Sequence, residues 1–216
     1  MTLRPTTRAE EYVLDNPQMR RFITAVNEIR ARESDPQTIV TAIRPHFADL
    51  LVDQAWLPAR YQELSEESRM GRGIGMWLLY RAGDRGLAFS ALVVPPGVQT
   101  PVHNHLAWGL VGLYRGQQEE EVFTRRDDGS RAGYAELEVT ERHALKAGQF
   151  YELMPENDIH RVRTTSSVNS VSLHLLGNDN GCIWRDRFHP EEHRVESFRS
   201  GYVNVPCLED ESKGTD

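Results

Sequence analysis

Apolar positions along the chain follow two different periods, and the change between them comes near residue 75. Before it, Met19, Phe22, Ile23, Val26 and Ile29 recur at helical spacing, as do Ile39, Val40, Ile43, Phe47, Leu50 and Leu51. Asn16-Pro17 and Asp35-Pro36 head these stripes, each a capping side chain followed by a proline suited to the first helical position. Two helices are predicted, with Pro45 as a kink or break in the second, while Trp56, Leu57, Tyr61 and Leu64 mark a third, shorter one. The polar, glycine-dotted run from Ser65 to Gly75 closes this region as a loop.

From Met76 onward short apolar runs alternate with turn signals, among them Pro95-Pro96-Gly97 and Asp127-Asp128-Gly129-Ser130. About nine strands are predicted, starting with Met76 to Arg81 and Leu87 to Val94 and ending with His160 to Thr164 and Ser170 to Leu176. Tyr134 to Val139 and Arg142 to Leu145 count as two of them. The predicted class is an all-β core, a jelly-roll barrel, carrying an N-terminal helical cap. The cap is assigned to residues 1–74, the barrel and a C-terminal wrap to 75–208, and a disordered tail to 209–216.

Candidate chemistry enters at His103-Asn104-His105. Side chains on a strand alternate faces, so two histidines two apart point the same way. Imidazoles converging on an inward face are expensive to leave unpaired, and a shared divalent metal resolves that cost. A third candidate, His160, follows a strand and a turn at Pro155. Ser172 and His174 likewise share a face of one predicted strand, which lets the hydroxyl orient the imidazole. His46, His143, His189 and His193 stand among polar neighbours and read as surface residues. Three neutral imidazoles without a carboxylate leave the metal its full charge, and such a centre favours anionic donors, a thiolate among them. The ligand set by itself does not choose between zinc, copper, nickel and iron.

Composition narrows the partners. A net charge of −7 makes nucleic acid and anionic membrane poor fits. No apolar run approaches the roughly 20 residues of a membrane helix, and the first residues lack the apolar core of a signal peptide, so a cytoplasmic setting is expected. Cys182 and Cys207 are too few and too isolated to read as a disulfide framework. The chain is expected to be a monomer or homodimer.

The two histidine stretches together resemble the paired motifs of the cupin superfamily. Gly97, His103, His105 and Gly116 fit the first motif, and Gly148, Pro155 and His160 the second, with Asn157 where glycine is usual. Where many cupins carry a metal-binding Glu, this chain has Gly109 or Leu110. Within the superfamily, the Thr100-Pro101-Val102-His103-Asn104-His105 block, Gly112 to Gly116, His160 and Ser172-Leu173-His174 resemble thiol dioxygenases of the cysteine dioxygenase type. The similarity spans roughly residues 75–190. It implies a cupin barrel with Fe(II) on His103, His105 and His160, O2 as co-substrate, Ser172 and His174 beside the bound ligands, and conversion of a small thiol to its sulfinic acid.

Two positions depart from that family. Its tyrosine after the Ser-x-His pair falls at Leu176, with Tyr151 and Tyr114 as replacements to consider. The arginine that anchors a substrate carboxylate falls, by an ungapped count, at Trp77, with Arg81 and Arg72 the nearest cations and Arg161, Arg163 and Arg185 as further choices. Arg81, Trp77 and Leu176 are therefore assigned to the substrate, and a mercaptocarboxylic acid fits better than L-cysteine. The alternatives are a metal-dependent cupin enzyme acting on a non-thiol substrate and a non-catalytic cupin that binds a small ligand.

Overall fold

The computed structural model describes residues 8–67 and 69–207. The tail expected at 209–216 lies outside the described residues. Helices α1 (Pro17–Arg32) and α2 (Pro36–Val52) begin where the caps place them. Asn16 accepts the backbone N–H of Met19 at 2.8 Å, and Asp35 accepts that of Thr38 at 2.8 Å, each satisfying a donor that a helix start leaves free. Pro45 does not break α2, which runs through it. The buried stripe Ile43, Phe47, Leu50 and Leu51 continues on both sides of the proline and holds the turn in place. The predicted third helix shrinks to a 3-10 turn at Ala59–Gln62.

Twelve strands follow from or flank these helices among the described residues: β1 (Glu11–Tyr12), β2 (Gly75–Arg81), β3 (Ala88–Val94), β4 (Val102–His103), β5 (Gly109–Arg115), β6 (Gln117–Arg125), β7 (Leu137–Lys146), β8 (Phe150–Leu153), β9 (Ile159–Thr164), β10 (Ser170–Leu176), β11 (Arg185–His189) and β12 (Arg194–Phe198). They form two antiparallel six-stranded sheets, ordered β1-β2-β3-β10-β5-β8 and β12-β11-β4-β9-β6-β7. The sheets do not close on each other through hydrogen bonds, so the expected barrel is realised as two separate sheets whose inner side chains meet. Tyr134 to Val139 and Arg142 to Leu145 are not two strands. Leu137–Lys146 pairs with β6 along its whole length, and a register shift between Val122 and Phe123 absorbs the irregularity. The C-terminal wrap contains two strands: β11 and β12 pair, and β11 joins β4.

The first sheet is covered on both faces, which explains why β3 and β10 are buried at every position, Ser90, Ser172 and His174 included. Phe89, Ala91, Val93, Val171, Leu173, Leu175, Leu110 and Tyr114 share one core with the helical residues Phe22, Ile23, Ile43, Phe47 and Leu51. The alternate residues, Ser90 and Leu92 on β3 and Ser172, His174 and Leu176 on β10, turn toward the second sheet. Gly112 lets α2 lie close to β5, because a Cβ there would meet Leu51 and Phe47 side chains at 2.5 and 2.6 Å. No helix among the described residues is long and apolar enough to cross a membrane.

Cys182 and Cys207 are joined by a disulfide, correcting their reading as isolated thiols. Separation along the chain concealed a Cα–Cα distance of 5.2 Å, inside the range a disulfide bridges.

Phe47 is fully buried and its ring meets those of Phe22, Phe89 and Phe150. Phe47→Ala is expected to reduce unfolding free energy by about 3–5 kcal/mol in chemical denaturation. A loss below about 1 kcal/mol would show that the helices do not share the sheet's core.

Candidate metal centre

The site starts from a cross-strand pair. His103 on β4 lies directly opposite His160 on β9, so the two imidazoles project from one face of the second sheet. His105 joins them by a different route from the one alternation predicts. Strand β4 ends at His103, and the chain bends at Leu106, which has a φ of 53°. The bend is held by Asp158, whose carboxylate oxygens accept the backbone N–H groups of His105 and Leu106, each at 2.7 Å. The three rings form a nearly equilateral triangle, with centroids 4.8, 5.0 and 4.7 Å apart. One ligand atom from each lies within 4.8 Å of the others, and no Asp, Glu or Cys joins that cluster among the described residues.

The hydrogen bonds behind each ring decide which nitrogen faces inward. His103 Nδ1 donates to the Pro101 carbonyl at 2.9 Å. His105 Nδ1 lies 3.2 Å from Asp158 Oδ1, and His160 Nδ1 lies 2.6 Å from Glu120 Oε1. A carbonyl or an ionised carboxylate accepts and does not donate, so each neutral ring carries its proton on Nδ1 and keeps the Nε2 lone pair free. Burial first, and then neighbouring Arg185 and the other imidazoles, hold His103 and His105 well below the ordinary histidine range. Three imidazoles meeting in a buried space with their Nδ1 atoms turned to oxygens leave Nε2 as the ligand atom that a divalent metal takes.

Glu120 and Asp158 orient these rings without entering the triangle. Burial pushes the Glu120 carboxyl up, but His160, Tyr151 and His143 outweigh it and leave the group below its ordinary value. Burial raises Asp158, against the opposing pull of the two N–H bonds. The Tyr151 hydroxyl stands 3.2 Å from His160 Nδ1, on the side of the ring away from Nε2. His143, read from sequence as a surface residue, is half-exposed but bonds Glu120 Oε2 through Nδ1 at 3.1 Å. Beside it, Glu120, His143, Arg142 and Arg161 line a cavity of about 480 Å³.

Neither Gly109 nor Leu110 adds a fourth ligand to the triangle. A Cβ at Gly109 would sit 2.2 Å from the Leu175 carbonyl oxygen, so no side chain fits there. Leu110 belongs to the core beneath the helices.

His174 is brought near the triangle, its ring centroid 6.5 Å from that of His105, and Ser172 Oγ bonds its Nε2 at 2.9 Å. Burial presses the His174 pKa down to about 3. Leu176 shares its inner face and packs with Ala107, Val111 and Leu153, with Tyr151 against them. Trp77 and Arg81 are not brought to the triangle. Trp77 packs against Tyr61 on the helical side and donates its indole N–H to the Glu63 carbonyl at 2.9 Å. Arg81 is committed to Glu11 at 2.6 Å and Asp179 at 3.2 Å. A count along the chain located these residues but not the face they occupy. Tyr114 also belongs to the helical core.

No protein-family model matches the chain. Among solved structures it is similar to Peruvianin-I, a cysteine peptidase from Thevetia peruviana latex, at 18% identity and a TM-score of 0.42, covering 60% of this chain and 75% of that one. Oxalate oxidase gives 14% identity and a TM-score of 0.42, with 59% and 61% covered. A cupin 2 conserved barrel domain protein from Salinispora arenicola CNS-205 gives 18% identity and a TM-score of 0.37, with 52% and 82% covered. None of these three is named as a thiol dioxygenase.

Two measurements test the centre. Glu120→Gln replaces the acceptor behind His160 with an amide of similar shape and is expected to weaken metal binding about 10–100-fold in chelator competition; unchanged affinity contradicts the role given to that bond. His103, His105 and His174 all have pKa values below the ordinary 6.5 in the folded state. Their contribution to stability is complete above the unfolded value and is lost as pH falls toward the folded one, for His174 about 3. The melting temperature of metal-free protein should therefore fall from about pH 6.5 to about pH 4, whereas a flat profile across that window would mean that the imidazoles are not buried neutral.

Proposed function

We propose that this protein is a non-haem iron-dependent dioxygenase that converts a small thiol, a mercaptocarboxylic acid rather than L-cysteine, to its sulfinic acid with O2. The observation carrying this reading is a buried triangle of three imidazoles with no carboxylate in it, set beside the Ser172–His174 pair. The overall reaction needs no co-reductant. Both atoms of O2 become bonded to sulfur, which loses four electrons as O2 gains them, and the thiol proton is kept in the sulfinic acid.

Iron(II) held by His103, His105 and His160 would supply Lewis acidity that favours the thiolate and redox activity toward O2. The chain's own residues set the surroundings. His174 is neutral across the physiological range, so it serves as a hydrogen-bonding group rather than a cation, and the Ser172 hydroxyl on Nε2 leaves Nδ1 as its free nitrogen. Arg185 adds a fixed positive charge behind the triangle. Its buried guanidinium donates to the Asn104 and Asn180 carbonyls and to Ser200 Oγ, with no carboxylate at ion-pair distance among the described residues. Burial lowers its pKa to about 9, which still leaves it protonated at neutral pH. An anionic substrate is favoured by that charge. Ala107, Val111, Leu153 and Leu176 form a buried apolar cluster next along β10 from His174.

One observation favours a second reading, a metal-dependent enzyme acting on a non-thiol substrate. Leu176 brings no hydroxyl to the inner face, and the Tyr151 hydroxyl stands at the rear of His160 instead of replacing it.

Oxygen-electrode assays of Fe(II)-loaded protein with short thiols, bearing or lacking carboxylate and amine, separate the readings. Consumption equimolar with sulfinate by mass spectrometry, fastest with mercaptocarboxylates, is expected. Absence of consumption with every thiol would contradict the thiol reading, and a preference for uncharged thiols would contradict the substrate class.

A further inference from the structure

Asp158 lies outside the imidazole triangle yet touches one half of it and is joined to the other. Its buried carboxylate brackets residues 105 and 106 through their N–H groups and faces His105 Nδ1 at 3.2 Å. Two residues further along the same chain stands His160. The bend it holds is an unfavourable one. Leu106 adopts a φ of 53° with its side chain largely in solvent, and leucine has neither the missing Cβ of glycine nor the local hydrogen bond of asparagine to offset that conformation. From the other side, Asn178 Nδ2 donates to the carbonyls of His105 and Leu106, both at 3.0 Å, and Asn180 Nδ2 to that of His105 at 2.9 Å. The N–H groups of His105 and Leu106 are thus both held by one carboxylate, while that of Asn104, just after β4, goes to the Asp186 carbonyl at 3.3 Å.

We propose that Asp158 is the positioning residue that couples the two ligand-bearing segments: it bends the chain out of β4 at Leu106, directs His105 toward His103 and His160, and fixes the His105 proton on Nδ1. This rests on the three imidazoles being metal ligands. Formation of the second segment, which carries Asp158 and His160 together, then sets His105 as well. The metal-binding geometry is assembled by that crossover rather than by strand alternation within the first motif.

Cobalt(II) is the probe, because its visible absorption reports ligand geometry without turnover. Asp158→Asn keeps the side-chain shape and one acceptor but removes the other. It should bind Co(II) about 10–100-fold more weakly with a changed visible spectrum. Leu106→Gly relieves the turn and should leave both unchanged. In the double variant, removing the strain should recover thermal stability but neither the affinity nor the spectrum, which distinguishes ring positioning from simple stapling of a turn. Wild-type affinity and spectrum in Asp158→Asn, or full recovery of both in the double variant, would overturn the inference. Long-range proton–nitrogen spectra of metal-free wild-type protein need no variant; they should show His105 protonated at Nδ1, and protonation at Nε2 would overturn it. A wild-type protein that takes up no Co(II) would overturn the metal reading and this inference together.

Discussion

Everything in this structure that concerns chemistry depends on what stands behind three imidazole rings. Each Nδ1 faces an oxygen: the Pro101 carbonyl, the Asp158 carboxylate and the Glu120 carboxylate. Because a ring nitrogen can be donor or acceptor but not both, those oxygens determine that the lone pairs lie at Nε2 and that they point at one another. Three such rings are buried together, and their Nε2 atoms have no hydrogen-bond donor among themselves. Burying that much polar capacity is unfavourable unless something electron-poor is shared between them.

The rest of the fold sustains the arrangement. Direct pairing of β4 with β9 sets two of the rings side by side, and the bend at Leu106 brings the third. The opposite sheet supplies Ser172 and His174 because its alternate residues are claimed by the helices: Val171, Leu173 and Leu175 have an apolar partner layer, so the even-numbered positions between them face inward. Gly109 admits β10 so closely that a Cβ there would meet the Leu175 carbonyl oxygen at 2.2 Å. Arg185, buried and protonated, sets one positive charge against the two buried carboxylates, Glu120 and Asp158, that stand behind the rings.

How much of this was legible along the chain follows from how local each feature is. The helix starts at Asn16 and Asp35 were readable because a cap and its partner lie within one turn. His103 and His160 were readable from residue type and motif spacing. Glu120 was not among the candidate residues, although its alternation with the buried Gln118 and Val122 carried the signal that it faces inward. Asp158 gave no such signal, because its partners are backbone N–H groups of a distant segment. Trp77 and Arg81 were assigned to the site by counting, which fixes distance along the chain and not the face of the sheet. Arg185, Asn178 and Asn180 act through contacts that only the folded chain creates, as does the bond between Cys182 and Cys207.

X-ray absorption at the metal edge of metal-loaded protein tests the central claim most directly. Three imidazole nitrogens at about 2.0–2.1 Å for zinc, and no protein carboxylate or sulfur, is the coordination shell expected. A shell containing Asp, Glu or Cys, or one with fewer than three imidazoles, would contradict it.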